Sequence, residues 1–549
     1  MARSGRVMDV VVRLRAASGR SSVRFLLYLF LLCLLRGDSL NDPFYGDSVS
    51  YVMPTVFHQV DGTIKLYPTA GPRDNPEIDG GGHPFVFYHL LVLLLKLGLP
   101  PVLTCHMVML VFAALVLLAT DRIASALAGS TAGVAAAALM LVNPTFLAHA
   151  GIVLLEIPQT AFTLLTLWAA LTGRWAWCAA FGSLAVLIKE PAVWILPPLG
   201  LYALFVGGRR GGLRRTACAA IPGLAFLAWM GGCKLATGMW INRTSIHWYH
   251  VGPMLRASEL FYSDGRAALT AVAAGLVVWH ALHRRRLVPL LVAVVVAAAA
   301  VVGLPSLQRS VPFVSASLPW VAAGIAAMAG GIGVVWGPKE LLLWGAILAH
   351  LLIFTFLQET MPRYAFVPMA LFPAIVVGAV WRLRHPLVRW ALVIPGVAWA
   401  IASWNEGIAY DRGLRYREIL GTIQTVATRL EVHHPHRSIL WWCGGAYILR
   451  DPRYGYVSTP LEAYDEGRPP HVLPKRVMPE IVVCISTHPD MDGQLEQCRA
   501  AARGLARRFG AQLIEDYARD EAIVKARIYR LLRTGPRGSP SIRRDKWRG

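Results

Sequence analysis

The chain has 549 residues, 55% of them hydrophobic and only 16% charged, and its mean hydropathy is positive, which excludes an ordinary soluble globule. Its 54 Lys and Arg against 32 Asp and Glu give a net charge of +22. The basic residues recur in short clusters between long apolar runs instead of lining one face, so the pattern speaks against nucleic acid and for a bilayer as partner.

Several runs reach the roughly 20 apolar residues needed to cross a hydrocarbon core of about 30 Å. About 13 spans are predicted, centred near residues 29, 108, 138, 165, 182, 199, 226, 274, 296, 324, 348, 373 and 395. The expected fold is an all-α polytopic membrane protein, with a small C-terminal α/β domain outside the membrane. Residues 1–22 form a basic tail, with Arg3, Arg6, Arg13, Arg15 and Arg20 against the single Asp9. The short apolar run at 23–35 has no small-residue cleavage site after it and reads as a retained first span at the start of a transmembrane domain covering 23–404.

A first outer loop, 36–83, is rich in Asp, Gly and Pro; in it Asp38, Asp42, Asp47, Asp61, Asp74, Glu77 and Asp79 outnumber the basic residues. Residues 83–98 read as a re-entrant or interfacial helix, because a full span there would place every downstream arginine cluster outside. With the N-terminal tail cytoplasmic, Arg122, Arg174, the Arg209/Arg210/Arg214/Arg215 cluster, Arg284 to Arg286, Lys339 and Arg382/Arg384/Arg389 fall on that same side. A second outer loop, 238–264, holds the run Ile246-His247-Trp248-Tyr249-His250. From 405 to 533, apolar stretches at 438–443 and 480–486 alternate with helical patterns at 417–430 and 494–509, which predicts the α/β domain. A basic tail, 534–549, has the composition of a disordered segment. The eight cysteines show no CxxC and no metal-like spacing, so neither a disulfide framework nor a structural zinc module is expected to organise the fold.

Charged groups within membrane spans are costly and mark functional sites. Parity of the spans puts Asp47 and His83 of loop one, Glu156 between the third and fourth spans, Lys189 and Glu190 after the fifth, and Arg363 before the twelfth at one membrane face. Asp47 has the chemistry of a general base. Glu156 lies in Ile152-Val153-Leu154-Leu155-Glu156-Ile157-Pro158, with almost no polar neighbours, which makes a purely structural role hard to write. Lys189 either pairs with the adjacent Glu190 or, with Arg363, supplies two cations at the depth of a lipid phosphate. Arg243 and His247 of loop two are further candidates for that anion. Nothing matches a P-loop, HExxH, GxSxG or dinucleotide fingerprint, so no nucleotide cofactor is expected.

Five places in the chain together resemble the integral-membrane glycosyltransferases of the GT-C fold, in particular the protein O-mannosyltransferases and lipid A aminoarabinose transferases. Gly46-Asp47-Ser48-Val49-Ser50-Tyr51 is similar to their first-loop acidic motif, with Ser48 where a second acid is common. His83-Pro84-Phe85 is similar to their His-Pro-Pro, with Phe85 in place of the second proline. Glu156 stands where they carry an acid after the third span. Leu187-Ile188-Lys189-Glu190-Pro191 is similar to a Leu-Thr-Lys segment, and Arg363-Tyr364 before Pro368 to an Arg-Tyr motif. The resemblance spans about 25–385.

The resemblance implies inverting transfer of a sugar from a polyprenyl phosphate donor to a protein, lipid or glycan acceptor on the non-cytoplasmic face, in a bacterial inner membrane. It implies Asp47 and Glu156 as catalytic residues, Lys189, Arg363 and Arg243 at the donor phosphate, and His83, Tyr51, Tyr364 and His247 at the acceptor or sugar. Ser48 leaves divalent-cation dependence open. The competing expectations are a lipid-linked sugar flippase, which would need the same interfacial cations, and a scaffold that keeps the fold without activity.

Overall fold

The computed structural model describes residues 21–67, 83–206, 208–238, 240, 337–356, 362–382, 386–402, 414, 416–442, 445–465, 479–486, 491–520 and 524–533. The expected spans near 274, 296 and 324, with Arg243, His247 and both chain tails, lie outside these residues. The chain divides into two compact units, residues 1–414 and 415–549.

The first unit is helical. Helix α1, Ser21–Arg36, packs against α4, Pro101–Ala128, and the two are joined by buried charge. Arg24 Nη1 donates to both oxygens of Asp121 at 2.5 and 2.7 Å, Tyr28 donates to the same carboxylate at 2.8 Å, and Ser125 adds a fourth bond at 2.9 Å. A buried carboxylate is tolerated only when paired and saturated in this way. Gly133 faces it: a Cβ there would lie 2.1 Å from Asp121 Oδ1.

Between α1 and α4 run a short α2, Met53–Asp61, and α3, Val86–Lys96. The 11 residues of α3 rise about 16 Å, half the thickness of a hydrocarbon core. Helix α5, Ser130–Leu141, is rich in alanine, which lets it lie close against α4 and α12.

The span expected around residue 138 is broken. Asn143 accepts the Phe146 amide at 2.9 Å and Pro144 starts α6, Pro144–Ala150, so the chain bends by 76° between α5 and α6. The fully buried α6 leads through an apolar segment to α7, Glu156–Leu171. Then come α8, Trp175–Ile188; α9, Leu196–Val206; α10, Gly208–Thr237; α11, Pro338–Phe356; α12, Phe366–Val380; and α13, Pro386–Ala402.

Among the described residues, three helical stretches are long and apolar enough to cross a membrane: Pro101–Ala128, Gly211–Ala236 and Arg363–Val380. The bent pair makes a fourth. The count of about 13 is thus not reached among these residues. Around 165, 182 and 199 the helices hold 16, 14 and 11 residues, because turns and prolines cut them short.

The second unit is α/β. Helix α14, Tyr416–His433, precedes β1, Ile439–Trp441; α15, Tyr447–Arg450, and β2, Ala463–Asp465, follow; then β3, Ile481–Ser486, α16, Met491–Arg508, β4, Ala511–Asp520, and β5, Lys525–Arg533. The sheet order is β2-β1-β3-β5-β4, parallel across β2, β1 and β3 and antiparallel beyond. Every side chain of β3 is buried, as befits a central strand covered on both faces. One disulfide, Cys484–Cys498, ties β3 to α16 inside the core formed by Leu440, Val482, Ala502, Tyr529 and Leu531. The cysteine spacing had given no sign of this bridge.

Candidate active site

Gly46 has a φ of +59°, a conformation glycine takes without strain, and it turns the chain into a single π-helical turn, Ser48–Val52, with Asp47 at its head. Ser48 is fully buried, and its hydroxyl is spent on Tyr45, donating to the carbonyl and accepting from the amide at 3.2 Å. Glu156 is the first residue of α7, where the helix N-terminus favours negative charge.

Lys189 sits where α8 stops. Pro191 cannot continue the helix, and Lys189 is extended (φ −155°, ψ 135°) ahead of a 3₁₀ turn, Glu190–Ile195. Arg363 and Tyr364 belong to another 3₁₀ turn, Pro362–Ala365, at the start of α12.

These turns bring the four charges together. Lys189 Nζ donates to Glu156 Oε1 at 2.7 Å, and Arg363 Nε lies 3.3 Å from that same oxygen. Arg363 Nη2 reaches across to Asp47 Oδ2. Tyr364 lies beneath both cations, with Lys189 Nζ 4.6 Å and Arg363 Cζ 5.3 Å from its ring centre, within cation–π range. The side chains of Glu156, Lys189 and Arg363 are each under a tenth exposed, whereas that of Asp47 is 35% exposed. A buried pair of cations held by one fixed carboxylate and one accessible carboxylate can bind an anion and present a base beside it.

Glu190 is not the partner of Lys189. It faces His83, whose Nδ1 lies 2.8 and 3.1 Å from its two oxygens. Tyr51 stands one turn beyond Asp47 and is half exposed. Sequence reasoning missed two residues near the cluster: Glu190 as the mate of His83, and the fully buried His149, whose ring packs 5.0 Å from that of Phe366 beside Arg363. The sequence placed Glu190 at the same membrane face as His83 but offered only Lys189 as its partner; His149 carried no signal, since a lone histidine in an apolar helix reads as core.

Among the described residues no three His, Cys, Asp or Glu side chains gather as a metal ion requires. Asp47 and Glu156 face the two cations, and Ser48 is engaged by its own turn.

No family model and no curated protein matches the sequence. Solved structures with a similar chain path include ArnT from Cupriavidus metallidurans bound to undecaprenyl phosphate, 14% identical, covering 92% of this chain and 97% of that one with a TM-score of 0.45. The Archaeoglobus fulgidus oligosaccharyltransferase in its apo form is 12% identical over 79% of this chain and 64% of its own, at 0.40. The arabinofuranosyltransferase AftD from Mycobacteria is 15% identical over 93% of this chain and 40% of its own, at 0.37. Likeness at this level carries no residue roles from one chain to another.

Proposed function

We propose that this protein is an integral-membrane glycosyltransferase of GT-C type. In this reading it moves a sugar from a polyprenyl phosphate donor to an acceptor on the extracytoplasmic face, with inversion at the anomeric carbon. The observation that carries the proposal is the convergence of Lys189 and Arg363 on Glu156 with Asp47 alongside, from four turns that lie far apart in the sequence.

Lys189 and Arg363 bind the donor phosphate and neutralise the charge that develops on it as the glycosidic bond breaks. Glu156 holds the two cations side by side on one oxygen. Asp47 takes the acceptor's proton. Tyr364 positions both cations, and Tyr51 and His83 line the acceptor side; Arg243 and His247 join the phosphate and acceptor sides in the same proposal. The donor's lipid tail stays in the bilayer, whose burial contributes about 0.8 kcal/mol per CH₂.

Placing the second unit on the extracytoplasmic side, as a domain from about residue 405 to 533, is supported by its buried disulfide, since such bridges persist in oxidising compartments. A bacterial inner membrane with the site toward the periplasm is the setting that fits.

Purified protein supplied with a radiolabelled polyprenyl phosphate sugar tests the reading. Asp47→Asn is expected to abolish both transfer and donor hydrolysis, and undiminished turnover removes Asp47 from its role. Mass spectrometry of envelope glycans with and without the gene then identifies the sugar and the acceptor.

A further inference from the structure

Among the described residues, Lys189 and Arg363 face Glu156 and Asp47, two cations against two carboxylates. His83 pairs with Glu190 beside them. A donor phosphodiester brings one negative charge to Arg363, which Glu156 and Asp47 already contact. For the phosphate to reach the guanidinium edge that a carboxylate occupies, that carboxylate has to yield its place.

The two carboxylates differ in their freedom to do so. Glu156 is 6% exposed, sits in the first turn of α7, and holds Lys189 and Arg363 through one oxygen. Asp47 is 35% exposed, touches the cluster only through Arg363 among the described residues, and stands on a single turn behind the positive-φ Gly46.

We infer that in the donor-free protein Asp47 occupies the place on Arg363 that the donor's phosphate takes, so that donor binding exchanges one anion for another. The inference rests on the glycosyl transfer proposed above and says how its site is regulated. Paired with Arg363, Asp47 has Oδ2 turned to the guanidinium; released by the phosphate, the carboxylate can turn to the acceptor's proton. The base is therefore armed only when a donor is present. In the transfer, a bond forms between the acceptor heteroatom and the anomeric carbon, and the bond from that carbon to the phosphate oxygen breaks. The electron pair stays on the phosphate and the proton goes to Asp47. The phosphate gains one negative charge as Asp47 loses one, so the cluster's total is unchanged through the step. When Asp47 passes its proton to water it competes again for Arg363 and helps to release the lipid phosphate.

Undecaprenyl phosphate, titrated into the full-length protein in nanodiscs with the matching polyprenol as control, is the probe. Removing the competing charge with Asp47→Asn is expected to tighten phosphate binding by about fivefold or more, although the same variant is inactive. Equal or weaker binding overturns the exchange. Arg363→Ala is expected to lose affinity, and in the double variant Asp47→Asn brings no gain. If Arg363→Ala binds like the parent, the phosphate site itself fails; if it weakens while Asp47→Asn tightens nothing, only the exchange fails. Should Asp47→Asn not fold, carbodiimide labelling of Asp47 in the unaltered protein gives the answer. Labelling that rises on adding undecaprenyl phosphate supports release of Asp47, and labelling that falls or stays constant overturns it.

Discussion

Glu156 holds two cations through one oxygen inside an apolar surround, and that makes it the residue whose loss should be felt most. Replacing it by glutamine keeps the volume but leaves Lys189 and Arg363 buried against a neutral amide. Breaking a buried pair from one side costs about 3–5 kcal/mol. Glu156→Gln is therefore expected to lower the unfolding temperature of detergent-solubilised protein clearly. Glu190→Gln should lower it much less, since the His83 and Glu190 side chains are 26% and 20% exposed and water can compensate. Equal effects would show that burial is not what sets these energies. That Glu156 is special was legible in the sequence, because it stands alone among Ile, Val and Leu. Its partners were not. Lys189 is 33 positions away and has a carboxylate as its immediate neighbour, and only the extended backbone at Lys189 decides between the two.

Helix positions were more legible than helix lengths. Apolar runs locate α4, α7, α8, α10 and α12, yet hydropathy alone is blind to the Asn143–Pro144 start signal that bends α5 away from α6, and to the proline that ends α8 at Lys189. Those interruptions produce the turns that carry the site. Nor does a hydropathy pattern show how closely helices approach. At Gly133 a Cβ would fall 2.1 Å from both Asp121 Oδ1 and Ser125 Oγ, within the bonds that dock α1 on α4. Gly378 meets only the flexible Leu127 side chain, at 3.1 Å. Gly133→Ala is thus expected to destabilise by about 1–3 kcal/mol through overpacking and displaced hydrogen bonds. Gly378→Ala should cost less, because Leu127 can change rotamer. Thermal unfolding of the two variants in one detergent checks the order.

At the scale of the molecule, the chain joins a membrane-type helical unit to an α/β unit of different composition, and each was legible to a different degree. For the second unit, the alternation of apolar stretches with helical patterns revealed β1, β3, α14 and α16. The β4–β5 hairpin was hidden because Glu515, Asp516, Arg519, Asp520, Arg527 and Arg530 load its strands with charge, and a bulge between Glu515 and Tyr517 breaks the alternation. The Cys484–Cys498 bridge was hidden too, since a separation of 14 positions matches no recognised spacing. It supplies a test of where this unit resides. A loop of that size is worth about 3 kcal/mol to the folded state in the chain-entropy account. If the unit matures in an oxidising compartment, alkylation of protein isolated without reductant should leave Cys484 and Cys498 unmodified, and both should react after reduction and unfolding. The Cys484→Ala/Cys498→Ala variant should speed amide exchange across β3 and α16. Exchange in α4, which belongs to the other unit, should not change. Two freely alkylated thiols in the native protein, or equal exchange in variant and parent, would take away the support for an extracytoplasmic second unit and with it the orientation assigned to the site.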